Sequence, residues 1–192
     1  EFNADKFHLT NMKTILRVPL FGILAYVFAI SNENSECQKL TAFTGLNASK
    51  IFNGNWYVTH ARSTENPVSC VPLHTGEVVG GDTFFFEYGN NKDAESQDTG
   101  RCEVPKKNEG DQILPFTCES GNNTFQIGLT VLDTDYDNFI VIYRCIKKEG
   151  VFIEDNYLLL STKNANKKIP ESVKTILPNQ VTLSECHLTP KT

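Results

Sequence analysis

Past residue 50 the chain breaks into short runs in which apolar and polar residues alternate, separated by clusters of Gly, Asn, Asp and Ser. Alternation with a period of two marks a strand with one packed and one wet face. The run 123–132 carries it most cleanly, with Phe125, Ile127, Leu129 and Val131 on one face and Thr124, Gln126, Gly128 and Thr130 on the other. Eight strands are predicted, over 55–62, 70–79, 82–88, 98–104, 112–119, 123–132, 138–146 and 151–161. The connections Gly89-Asn90-Asn91, Asp133 to Asp137 and Lys147 to Gly150 are short, so neighbouring strands pair antiparallel as a meander. Pro170 then opens a segment with Val173, Ile176 and Leu177 at helical spacing, and Pro178 stops it. The pattern predicts an all-β, eight-stranded antiparallel up-and-down barrel with one short C-terminal helix.

The front of the chain has a different pattern. Met12 is followed by Lys13, Arg17 and the apolar run Val18 to Ile30, the order of a secretory signal. At 13 residues, with Pro19 and Gly22 inside it, the run is shorter than the roughly 20 residues that a membrane span needs. Residues 12–31 are therefore read as a signal peptide, 1–11 as leader sequence, and 32–192 as one secreted domain. Removing Lys6, Lys13, Arg17, Glu1 and Asp5 with the front segment takes the net charge from −5 to −6. An acidic chain offers no electrostatic footprint for nucleic acid, and neither a membrane partner nor an oligomer is expected.

All six cysteines fall after the signal, which in an exported chain reads as three disulfides. No two are spaced as CxxC, so zinc is the weaker reading. One pair follows locally. The midpoint of Cys102 and Cys118 lies in the turn-like stretch Asn108-Glu109-Gly110-Asp111, so a hairpin there sets the two opposite each other. The tripeptides at Asn47 and Asn122 are glycosylation sequons.

Two motifs sharpen the barrel assignment. Gly54-Asn55-Trp56 resembles the GxW signature of lipocalins, in which the Trp plugs the closed end, and Thr134-Asp135-Tyr136 resembles the family's turn between the sixth and seventh strands. Lys163 occupies the place of an Arg that in this family stacks on the Trp. The stretch Phe52 to His60 and the signal beginning Met12-Lys13-Thr14-Ile15-Leu16 resemble the salivary lipocalins of blood-feeding kissing bugs, the triatomines. The resemblance covers the mature chain and implies the pairs Cys37 to Cys145 and Cys70 to Cys186, leaving Cys102 to Cys118 as the extra bridge.

That resemblance also guides the chemistry. Haem carriers of the group use a His near the end of the third strand, and here Glu87 stands at that place. A carboxylate is a poor substitute for imidazole, so no haem or other cofactor is expected. If Glu87 points inward as the family's His does, Phe85 shares its face, and comparison with the haem carriers puts Tyr143 and Tyr157 on the cavity as well, with Leu159 a further candidate ligand contact. His60, His74 and His187 are scattered singly, and no catalytic pair is visible, so the chain is not read as an enzyme. Asp133, Asp135 and Asp137 alternate as in a calcium loop, but Asn138 stands where the bend needs Gly and Arg144 where a bidentate Glu is required, so no metal site is expected.

The family thus implies a binder that sequesters a small host mediator, a cysteinyl leukotriene or thromboxane, a biogenic amine or an adenine nucleotide, with eicosanoids ranked first and biogenic amines second, impairing haemostasis, platelet aggregation or inflammation. An eicosanoid needs an apolar tube with a cation, which Arg62 or Arg144 could supply. An amine needs a buried carboxylate, which Glu87 could be. The alternative is a protein-binding lipocalin that blocks a clotting factor through its surface, for which the sequence offers diffuse acidity at Asp93, Glu95, Asp98 and Asp133 to Asp137.

Overall fold

In the computed structural model, which describes residues 36–63, 69–89, 99–163 and 168–186, the alternating runs become strands β1 (Gly54–Arg62), β2 (Pro72–Glu77), β3 (Thr83–Tyr88), β4 (Gly100–Pro105), β5 (Leu114–Ser120), β6 (Asn123–Thr134), β7 (Phe139–Lys148), β8 (Val151–Ser161) and β9 (Leu183–Glu185). The first eight follow one another around an antiparallel wall, and β8 returns to β1, closing the barrel. Every predicted strand end lies within two residues of the observed one. The late helix spans Glu171–Ile176 and is numbered α2, because a one-turn helix, α1 (Ala48–Ile51), precedes the barrel. The segments read as leader and signal, and His187, Asp93, Glu95 and Asp98, lie outside the described residues.

The closed end is built by α1 and its neighbours. Asn47 caps the turn by accepting a hydrogen bond from the Lys50 backbone N–H at 3.2 Å, which commits its side-chain oxygen locally. Ala48 and Ile51 are buried, and Phe52 stacks on Phe84 with ring centroids 5.0 Å apart. Trp56 is buried over this plug, its indole N–H donating to the Ile51 carbonyl at 2.9 Å. Gly54 takes φ +149°, a conformation that a side chain disfavours, to turn the chain from α1 into β1.

The Thr134-Asp135-Tyr136 turn fastens the same end. One Asp135 carboxylate oxygen accepts the backbone N–H groups of Asp137, Asn138 and Phe139 at 3.1, 2.7 and 3.0 Å, and the other accepts the Asn138 side-chain amide. The carboxylate is thus spent on its own turn. Partial burial pushes its pKa up, but these hydrogen bonds outweigh burial and hold it below the usual value. The Tyr136 hydroxyl accepts the Asn47 N–H at 3.0 Å, tying the turn to α1. Lys163 does not complete this end as expected. It is exposed, and the cation–ring contacts among the described residues join Lys50 to Tyr136, Arg62 to Tyr157, Arg101 to Phe85 and Lys106 to Phe84, none of them reaching Trp56.

Disulfides join Cys37 to Cys145, Cys70 to Cys186 and Cys102 to Cys118. The last pair sits directly opposite on β4 and β5 and is fully buried. The strand β9 was not anticipated. Along one edge of β1, Gly54–Tyr57 pair with β2, whereas His60–Arg62 pair with β9. The Cys70–Cys186 bridge stands where one partner replaces the other.

Candidate functional site

Barrel closure makes one face of every strand internal, and the plug determines which. Trp56 and Val58 of β1, Phe86 and Tyr88 of β3, Ile142 and Arg144 of β7, and Leu158 and Leu160 of β8 face a cavity of about 190 Å³. On β7 it runs from Ile140 at the closed end to Ile146, a span of roughly 20 Å at about 3.4 Å per residue. Aliphatic and aromatic side chains dominate the lining. Thr75 turns its hydroxyl to the carbonyls of Ile51 and Gly54, at 3.1 and 3.0 Å, and so presents little polarity to a ligand. What remains polar is Tyr88 and Arg144. Tyr88 lies across β4 at Gly100, where a Cβ would run into its hydroxyl, so the missing side chain there makes room for the ring.

Arg144 is the cavity's cation. One of its terminal nitrogens pairs with Glu154 at 2.7 Å, with 26 % of the Arg144 side chain and 55 % of the Glu154 side chain exposed. Its Nε is buried with no hydrogen-bond partner. Burial pushes the guanidinium pKa down, and Glu154 and Tyr88 oppose the shift. A buried donor left unpaired costs about 1–3 kcal/mol, more when charged. Glu154 stands opposite Ile146 in the β7–β8 register, and cross-strand partners share a face, so it lies on the cavity side of the wall.

The ligand-facing residues expected from the resemblance lie elsewhere. Phe85 and Glu87 are on the outer face of β3. Glu87 pairs with Arg101 at 2.5 Å, Arg101 also reaches Glu103 at 2.7 Å, and its guanidinium lies 4.1 Å over the Phe85 ring. Tyr143, Tyr157 and Leu159 also point outward. They are buried all the same, because α2, β9 and the segment around Cys37 and Leu40 cover that outer face. There Asp155 accepts from the Tyr143 hydroxyl at 2.7 Å, the Arg62 guanidinium at 2.6 Å and the Gln38 amide at 3.1 Å, and Tyr157 donates to Gln38 at 2.8 Å. Burial pushes the Tyr143 phenol pKa up, and Asp155 adds to the shift. Of the two candidate cations, Arg62 is therefore engaged outside the barrel and Arg144 faces in.

The other candidates are local in role. His60 is buried with Nδ1 3.1 Å from the Thr59 hydroxyl, and the His74 Nδ1 meets the Asn55 side-chain oxygen at 2.9 Å. Asn122 is exposed at the β5–β6 turn, and Asn47 is exposed at the cap of α1.

The sequence family described as Triabin matches residues 30–176 of this chain. Triafestin-2 of Triatoma infestans is 33 % identical over 84 % of the chain and 83 % of its own length, and Triabin of Meccus pallidipennis is 34 % identical over 78 % and 91 %. Among solved structures, the leukotriene C4 complex of LTBP1 superposes with a TM-score of 0.61 at 23 % identity, over 80 % of this chain and 100 % of that one. The tryptamine complex of the amine binding protein of Rhodnius prolixus gives 0.55 at 18 %, over 73 % and 76 %. At these identities the superpositions establish the shared barrel.

Proposed function

The chain belongs to the Triabin family of triatomine salivary lipocalins, and from that premise we propose that it is a secreted scavenger which holds a small anionic host mediator of the eicosanoid class in its barrel. By removing the mediator stoichiometrically, without turnover, it impairs platelet aggregation, haemostasis or inflammation. One observation carries the reading: an apolar cavity contains a cation, Arg144, whose buried Nε has no partner. An apolar tail gains about 0.8 kcal/mol per buried methylene, and a carboxylate supplies the acceptor that the guanidinium lacks. The amine alternative is weaker, because its intended carboxylate, Glu87, pairs with Arg101 on the outer face. Both ligand classes have precedent on this fold, leukotriene C4 in LTBP1 and tryptamine in the Rhodnius protein.

Isothermal titration against leukotriene C4, a stable thromboxane analogue, arachidonate, serotonin and tryptamine tests the proposal. Saturable one-to-one binding of at least one anionic lipid and none of the amines is expected. In platelet-rich plasma the protein then suppresses the response to that mediator, and excess mediator restores it. Prolonged plasma clotting with no agonist-selective effect on platelets would instead indicate a protein target.

A further inference from the structure

The two sequons occupy different surroundings in the fold. β5 and β6 are joined by a two-residue turn, Gly121 and Asn122, between the paired residues Ser120 and Asn123. Gly121 takes φ +56°, which a residue without Cβ adopts freely. Asn122, Asn123 and Thr124, the three residues of this sequon, are all exposed, and no described residue holds the Asn122 side chain. At the other sequon the middle residue, Ala48, is fully buried, and the Asn47 side-chain oxygen is committed to the cap of α1. The Asn122 tripeptide alone stays open along its whole length once the chain has folded.

Its place in the barrel gives it a role. Gln126 stands opposite Lys147, one residue beyond Ile146 at the open end, so the β5–β6 turn lies on the rim of the mouth. Phe125, the residue after the sequon, already lines the cavity. Lys148, at the tip of the β7–β8 hairpin, donates to the Asn123 side-chain oxygen at 3.2 Å, so the two hairpin tips stand side by side. The second hairpin leaves Val151 and Ile153 exposed, at 63 % and 55 %.

We propose that Asn122 carries an N-linked oligosaccharide, rooted on the rim of the mouth, which shields the neighbouring β7–β8 tip. The inference rests on the secreted reading above, because exported chains receive this modification. In the transfer, Asn122 Nδ2 bonds to the anomeric carbon of an oligosaccharide supplied as its polyisoprenyl diphosphate. The diphosphate leaves with the electron pair of the broken C–O bond, Nδ2 gives up one of its two protons, and nothing is oxidised or reduced. A bulky hydrated chain beside Val151 and Ile153 hinders their contact with other macromolecules, while a small ligand still passes.

Wild-type, Asn122→Gln and Thr124→Ala proteins secreted by insect cells test both parts. Asn122 and Thr124 are exposed, so neither substitution disturbs the core. Peptide N-glycosidase in heavy-oxygen water converts a glycosylated Asn into labelled Asp. Label at Asn122 is expected in the wild type, and loss of that label with the corresponding fall in intact mass in both variants, although Thr124→Ala keeps Asn122 itself. Trypsin should cut after Lys148 several-fold faster in the variants than in the wild type. Wild-type protein from the medium with Asn122 unmodified, or with glycan on Asn47 alone, overturns the site and leaves secretion standing. Equal cutting rates overturn the shielding. Retention of the wild type inside the cells with its signal uncleaved overturns the secreted reading and this proposal with it.

Discussion

Replacing Arg144 by Leu should make the empty protein more stable and the ligand-binding protein worse. In the native chain the Arg144 Nε is buried without a partner, a state that costs about 1–3 kcal/mol. The compensating ion pair reaches Glu154, whose side chain is 55 % exposed, and a pair so open to solvent contributes about 0–1 kcal/mol. Leu removes the first term and the second together and adds apolar contact with Ile142 and Ile146, which flank it on the lining. The balance is a gain of about 1–2 kcal/mol, and for a domain of this size each kcal/mol moves the melting temperature by roughly 2–4 °C. The ligand loses a charged hydrogen bond worth about 1.5–3 kcal/mol, a roughly 10- to 150-fold weaker Kd. Differential scanning calorimetry of the ligand-free protein and titration with the best anionic lipid measure the two arms. A variant that is less stable yet binds as tightly as the wild type would refute the reasoning, because Arg144 would then be a structural group. Opposite signs in the two assays are what a side chain held for its ligand requires.

Two further outcomes follow from the same kind of accounting. Asp135→Asn weakens the turn that accepts three backbone N–H groups, costing about 1 kcal/mol at pH 7, as for a lost cap. Because the folded-state pKa of Asp135 is depressed, its contribution is complete above the unfolded value of about 3.9 and disappears as pH falls through the folded value; denaturant titrations of wild type and variant should therefore converge below about pH 4. Asp155→Ala removes the acceptor shared by Tyr143, Arg62 and Gln38 and should cost about 3–5 kcal/mol, as for a broken buried ion pair, with ligand affinity unchanged, since none of these groups lines the cavity.

The strands, their order and the closed end were legible because alternation, turn residues and the Gly54–Trp56 and Thr134–Tyr136 motifs all constrain the chain locally. The inward face of β3 was not. Phe84, Phe85 and Phe86 are apolar in succession, and a triple of phenylalanines fits either phase of a period-two pattern. On β7 both faces are apolar, with Ile140, Ile142 and Ile146 on one and Val141 and Tyr143 on the other, because α2 and the segment before β1 bury the outside as well. One signal in the sequence could have resolved it. Cys145 is bridged to Cys37, which packs with Leu40 against the outer face of the wall. Cys145 must then point outward, and alternation sends Tyr143 outward with it and Arg144 inward. Neither α1 nor β9 has a periodic signature, since four and three residues are too few to show one.

The division of one β1 edge between β2 and β9 has a consequence for how the wall comes into being. His60, Ala61 and Arg62 meet partners more than 120 positions later in the chain, so that part of the seam belongs to the slowest class of contacts to form, those of large sequence separation. Until residues 183–185 dock, the upper edge of β1 displays unpaired backbone donors and acceptors, the kind of edge that recruits a strand from another molecule. A fragment ending before Leu183 would thus keep every one of the cavity's lining residues and still fail as a vessel, associating through β1 with its own copies. The vessel's integrity rests on three residues that touch no ligand.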